Sequence, residues 1–177
     1  MKHLILLSVL ALGLSSCSKN LIPYTKQLQI ENDWNRADVQ RIQFYTSEDI
    51  ILQRKLVDGK IKIESGKIKV VDGKKVEEVV IKKGTPGIAV YFPDEDRVGI
   101  SFEIDDAHFL TFGPNPKKGE QFFLFASEWN NRVGRVTYND VAYYTSPESS
   151  TAHLLVNLKE IRDWDIKQRK ASGRKVN

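Results

Sequence analysis

The sequence is poorest in the residues that chemistry uses most. In 177 residues it holds one cysteine, Cys17, and three histidines. A single cysteine cannot close an intramolecular disulfide. No Cys-x-x-Cys, His-Glu-x-x-His or Gly-x-Ser-x-Gly pattern occurs, which removes the usual thiol-redox, zinc-hydrolase and serine-hydrolase signatures. Long apolar runs are scarce too. Leu4–Leu14 covers 11 residues, whereas a membrane-spanning helix needs roughly 20. No second run comes near that length, and no repeat of fixed period is present. The formal net charge is +4, too weak an excess to argue for a nucleic-acid partner.

What is present begins at the N-terminus. Lys2 and His3 precede the apolar run, and small residues, Ser15 and Ser16, follow it. A positive start, a short apolar stretch and a small-residue cut site are the parts of a secretory signal. The tetrapeptide Leu14-Ser15-Ser16-Cys17 resembles the lipobox of bacterial lipoproteins. That resemblance covers only the first 17 residues. It implies that 1–16 is a signal peptide, that Cys17 carries a diacylglycerol on its thiol, and that the new amino group is acylated. Several acyl chains, at about 0.8 kcal/mol per buried methylene, hold far better than one. Lipidation also removes an otherwise exposed reactive thiol. Ser18 in place of an aspartate implies the outer membrane, and the non-acidic Ser18-Lys19-Asn20 implies a periplasm-facing domain.

Removing the signal leaves Cys17–Asn177 with 26 basic and 23 acidic side chains, since Lys2 is the only signal residue counted as charged. Aromatics make up 10% and hydrophobic residues 41% of the chain, a globular composition. We divide the chain into a lipidated tether, 17–24, and a single mainly-β domain, 25–177. Thr25 caps a short helix from Lys26 to about Asp33, and Asn35 caps a second over about Arg36–Arg41, with Asp38 at its third position. From Ile42 the period becomes that of strands. The runs are Ile42–Val57, Lys60–Glu64, Lys67–Val71, Lys74–Lys82, Gly87–Phe92, Arg97–Ile104, Phe109–Phe112, Gln121–Trp129, Arg132–Tyr138, Val141–Thr145 and Ala152–Asn157. Asp58-Gly59 and Asp72-Gly73 are type I′ hairpin signals. Asn139-Asp140 makes another turn, and Asp94-Glu95-Asp96 a polar hairpin tip. About ten short strands at this spacing predict an antiparallel barrel or sandwich with short N-terminal helices.

Few side chains are candidates for chemistry. Glu103, Asp105, Asp106 and His108 crowd one stretch, but a strand would turn them to different faces, and the calcium-loop pattern is absent. They read as a solvated strand face and turn. Gly113–Gly119 contains two prolines that remove donors, so it reads as a surface loop rather than a phosphate cradle. Phe122, Phe123 and Phe125, like Tyr143 and Tyr144, put rings on both faces of a strand. Core packing explains that pattern. The alternative is a barrel with a ligand inside and a partner outside. The C-terminal residues Lys167, Arg169, Lys170, Arg174 and Lys175 form a basic tail, which suits either a frayed soluble end or contact with anionic headgroups or cell-wall polymers.

No catalytic residue, cofactor or metal ligand is assigned. The expected function is that of a membrane-anchored envelope lipoprotein, structural or accessory, that binds an envelope protein or polymer. The alternative is a ligand-binding β-barrel holding a small apolar or glycan ligand. A hydrolase of envelope polymers ranks third.

Overall fold

A computed structural model describes residues 20–55, 62–64, 67–69 and 76–162. The signal, Cys17, the Asp58-Gly59 and Asp72-Gly73 turns and the basic tail all lie outside the described residues. The described chain is mainly β, as expected, and its sheets are antiparallel.

Strand β1 is Leu21–Pro23. Helix α1, Lys26–Glu31, follows, capped by the Thr25 side chain, which accepts the Leu28 N–H at 3.0 Å. Helix α2, Arg36–Val39, carries a capping box in which Asn35 and Asp38 each accept the other's backbone N–H. The remaining strands are β2 Phe44–Thr46, β3 Ile50–Lys55, β4 Lys62–Glu64, β5 Lys67–Lys69, β6 Val76–Ile81, β7 Pro86–Tyr91 and β8 Val98–Ser101. They continue with β9 Phe109–Asn115, β10 Gln121–Leu124, β11 Glu128–Asn130, β12 Val133–Tyr138, β13 Val141–Thr145 and β14 Leu154–Asn157.

Seven strands form one sheet in the order β1-β14-β2-β7-β8-β9-β10, and five form a second in the order β11-β12-β13-β3-β6. The first sheet curls until β10 meets the start of β14 and the end of β1. Phe123 bridges His153, and the Phe122 N–H donates to the Tyr24 carbonyl at 3.0 Å. These contacts are isolated bridges, and the fold is a sandwich rather than a closed barrel. One continuous core lies between the sheets: Phe44, Ile100, Leu110, Phe112, Leu154 and Val156 from the first, and Ile50, Leu52, Val136, Tyr138 and Tyr143 from the second. The interior is therefore filled by side chains.

Several boundaries differ from the sequence reading. Leu21–Pro23 is not tether: it pairs with β14, and the next residue, Tyr24, is buried. Proline at 23 is tolerated because β1 is an edge strand. The run Ile42–Val57 breaks at Ser47–Asp49, where the chain leaves the first sheet for the second. The pairing partner breaks in step, so Phe44 faces Gly87 in one sheet and Ile50 faces Ile81 in the other. Among the described residues on either side of Asp58-Gly59 and Asp72-Gly73, β3 pairs with β6, and β4 with β5. Gln121–Trp129 splits into β10 and β11, which belong to different sheets. Gly113-Pro114-Asn115 is not loop but the end of β9. Pro114 lies beyond the end of β8, where only β10 is a neighbour, so its missing N–H costs no ladder bond on that side.

Candidate functional site

Directly paired residues in an antiparallel sheet point to the same face. That rule separates the two faces of β7–β10. Ala89, Ile100 and Leu110 align inward, as do Val98, Phe112 and Leu124. The outward row between them holds Tyr91, Gly99 and Thr111, and the Phe125 N–H continues that row by donating to the Thr111 carbonyl at 2.8 Å. Ile88, Ser101 and Phe109 make a neighbouring row, and Gly113 with Phe123 another.

This outer face is aromatic because its centre is glycine. Gly99 and Gly113 are buried although they point outward. A methyl group on Gly99 would stand 2.8 Å from the Phe109 ring, so the ring covers the glycine. Tyr91 packs beside it, with the ring centroids 5.1 Å apart. On Gly113 a methyl group would meet Arg97 Cγ at 3.1 Å, so the arginine stem covers that seat. The Arg97 guanidinium then lies 4.6 Å from the centroid of the Phe125 ring, a cation–π contact. Asp94 holds the guanidinium in place: its Oδ2 accepts from Arg97 Nε at 2.6 Å, and its Oδ1 accepts the backbone N–H groups of Asp96 and Arg97. Those bonds, that from the Arg97 side chain first, hold the Asp94 carboxyl below the usual aspartate range. Phe123 packs on the His153 ring at 5.1 Å.

The face remains open. Tyr91 is 48% exposed, Ile88 47% and Phe125 43%. Tyr91 and Phe125 are three strands apart, about 14 Å at the usual strand spacing. Aromatic rings with one fixed arginine are the composition of a binding surface rather than of a reaction centre. The sequence reading explained Phe122, Phe123 and Phe125, with Tyr143 and Tyr144, by core packing. Phe122 is there, but Phe125 is not, and Phe123 is half-buried. Tyr143 is buried against Tyr138.

A second cluster lies in the loop after β8. That strand ends at Ser101, so the residues read as a strand face are in a loop instead. Glu103, Asp105 and His108 come together with their ligand atoms all within 4.8 Å of one another, whereas Asp106 is not in the group. The local cause is an aspartate turn: Asp105 Oδ1 accepts the N–H groups of Ala107 and His108 at 3.0 Å each. The His108 Nδ1–H donates to Asp105 at 2.7 Å, and the Asn139 side-chain amide lies 3.0 Å from Nε2. That bond to Asp105 raises the His108 pKa above its ordinary value and lowers that of Asp105. The buried Tyr138 hydroxyl donates to Glu103. Burial, then this bond, pushes the phenol well above the usual tyrosine range. Both His108 nitrogens and the Asp105 carboxylate thus have protein partners, and the cluster ties the 102–108 loop to the β12–β13 turn.

Ser47 and His153 also meet, with Oγ 2.9 Å from Nδ1. This is not a nucleophile–base pair of the usual kind. The same Oγ accepts the His153 backbone N–H at 2.9 Å, and Ser47 is buried. The contact fastens the end of β2 to the approach to β14.

No protein-family model matches the chain, and neither the curated proteins nor the solved structures contain a match to it.

Proposed function

We propose that this chain is a lipid-anchored envelope lipoprotein, held in the outer membrane through Cys17 and facing the periplasm, that acts as an accessory module binding another envelope component. The observation that carries the binding half of this reading is the outer face of β7–β10. Tyr91, Phe109 and Phe125 lie on a sheet whose inner side is already a filled core, so the sheet's packing does not account for their open sides. Exposed apolar patches of this kind mark interaction sites. The filled interior favours this over an internal ligand cavity, because the inward side chains occupy the space a barrel ligand would need. The anchoring half is supported by Leu14-Ser15-Ser16-Cys17 and the apolar run before it.

Two measurements test the two halves separately. Fatty-acid labelling in cells should mark the wild type and not Cys17→Ser, and equal labelling of both would remove the lipoprotein reading. A photo-crosslinker placed at Phe125 or Tyr91 should capture one envelope component, and Arg97→Ala should weaken the capture. A crosslinker at exposed Lys82, which follows β6 of the other sheet and pairs with Asp49 at 2.9 Å, should not capture it. Identical yields at Phe125 and Lys82 would remove the outer face from consideration. Capture of a glycan strand rather than a protein would make the partner a polymer.

A further inference from the structure

We propose that the partner of the outer face of β7–β10 is a glycan strand of the cell wall, whose N-acetylhexosamine rings stack on Tyr91, Phe109 and Phe125 beside Arg97. This rests on the reading of that face as the binding surface of an envelope protein, and it names the class of the partner.

The size of the open patch is the first ground. Tyr91, Phe125 and the neighbouring Ile88 are each a little under half exposed. An aromatic side chain has about 150–250 Å² to bury, so three half-open side chains offer on the order of 300 Å². A stable protein–protein interface takes about 800 Å² from each partner. The patch is also a row rather than a disc. It crosses the strands from Tyr91, past Gly99 and Thr111, to Phe125. A narrow row about 14 Å long suits a linear chain. An extended peptide is linear too, but it gains its main-chain hydrogen bonds at a sheet edge. Here β8 and β9 lie inside the sheet with a partner on each side, so the middle of the row offers side chains alone.

Charge is the second ground. Asp94 Oδ2 lies 2.6 Å from both Nε and Nη2 of Arg97, so the arginine's charge is cancelled where it sits. That pairing suits a chain of uncharged rings better than an anionic polymer or headgroup. A guanidinium has five N–H donors, so Nη1 remains to donate to a hydroxyl or acetamido oxygen. Aromatic faces carry partial negative charge, and the C–H bonds on the face of a pyranose ring present partial positive charge to them. The surface is also set in advance. The Phe109 ring covers Gly99, and the Arg97 stem covers Gly113, so little ordering entropy is lost when a ligand arrives. A periplasm-facing protein meets this chemistry in the cell-wall strand, whose acetamido groups supply an acceptor on each ring.

The test sediments the mature chain Cys17–Asn177 with purified, protein-free cell-wall sacculi. The wild type should be retained, and uncharged N-acetylglucosamine oligomers should release it. Tyr91→Ala and Phe125→Ala should each reduce retention several-fold, and Arg97→Gln should reduce it as well. Val80→Thr, at an exposed position on the other sheet, should leave it unchanged. Melting curves of the variants show whether each is folded. A second measurement needs no variant: saturating the aromatic protons of the wild type should transfer to the ring C–H protons of the oligomers. Retention should persist in high salt, because stacking on a neutralised row is not screened. Retention lost in high salt would assign it to the chain's basic excess and overturn the proposal. So would absence of retention, equal retention by all variants, or no transfer to the oligomers. A protein crosslinked at Phe125 in cells, with no retention on sacculi, would overturn the glycan assignment and leave the binding face standing. Capture of neither would remove both.

Discussion

Phe109 can pack against position 99 of the outer sheet only because that position has no side chain, so the ring and the glycine cannot be changed independently. In Gly99→Ala the new methyl group would stand 2.8 Å from the Phe109 ring and 3.0 Å from Tyr91 Cβ. Overpacking of this kind costs about 1–3 kcal/mol. Gly99→Ala should therefore melt several degrees below the wild type, and it should lose partner capture at Phe125 because the platform tilts. The loop cluster gives a residue-scale prediction of a different sort. His108 titrates above its ordinary value of 6.5 because Asp105 accepts its Nδ1–H. Its contribution to stability is complete below the ordinary histidine pKa and is lost as pH rises through the higher folded one. Asp105 has its pKa lowered, chiefly by His108, so its contribution is present above the ordinary aspartate pKa and lost as pH falls through the lower folded one. The pair thus holds the loop best between those two ordinary values. An NMR titration should place the His108 midpoint above 6.5 and should move it down in Asp105→Asn. A midpoint unchanged by that substitution would mean that Asp105 is not the cause.

At the scale of elements, the tight turns carry the clearest test. Asn139 and Asp140 both have positive φ, 48° and 58°, between paired Tyr138 and Val141, as a type I′ turn requires. Glycine is better than aspartate at the second central position, so Asp140→Gly should raise stability by ~0.5–1 kcal/mol. Asp140→Val should lower it by about 1 kcal/mol or more. Equal melting points for the two would contradict the turn type. This turn was legible in the sequence because its residues tolerate the left-handed region. The Thr25 and Asn35 caps were legible for a similar local reason, a short acceptor side chain ahead of a helical run. The next hairpin turn along the same sheet was not. Asn131 and Arg132 also have positive φ, but an arginine there sends no turn signal, and it was assigned to the strand. The candidate face was hidden by the same limit. Phe122, Phe123 and Phe125 alternate as any apolar strand does, and only the pairing of Phe123 with Gly113 and the seating of Phe109 on Gly99 show which rings are left outside. Pairing partners far apart in sequence decide such faces, and periodicity within one strand does not contain them.

At the scale of the molecule, the position at which the folded domain begins fixes how close it would sit to a lipid on Cys17, if the proposed lipoprotein reading holds. A tether running to residue 24 would allow loose motion about Cys17. A domain that starts at Leu21 leaves Ser18-Lys19-Asn20 as the whole spacer. The difference is measurable as stability. Tyr24 is 1% exposed, and its ring centroid lies 5.1 Å from that of Phe44 and 4.6 Å from that of Phe122. The Tyr24 N–H donates to the Leu154 carbonyl at 2.9 Å, and its carbonyl accepts the Phe122 N–H at 3.0 Å. It therefore joins the two ends of the curled sheet. Removing a buried ring of this size costs about 3–5 kcal/mol, and a domain of this kind has only about 5–15 kcal/mol in total. Loss of the β1–β14 pairing adds to the cost. A soluble form starting at Ser18 should thus melt cooperatively with a β-type circular dichroism spectrum. A form starting at Leu21 should match it closely, because the three residues removed lie ahead of β1. A form starting at Thr25 should melt lower by roughly ten degrees or more, or lose its cooperative transition altogether. If the Thr25 form melts with the Ser18 form, β1 contributes nothing to the stability of the domain.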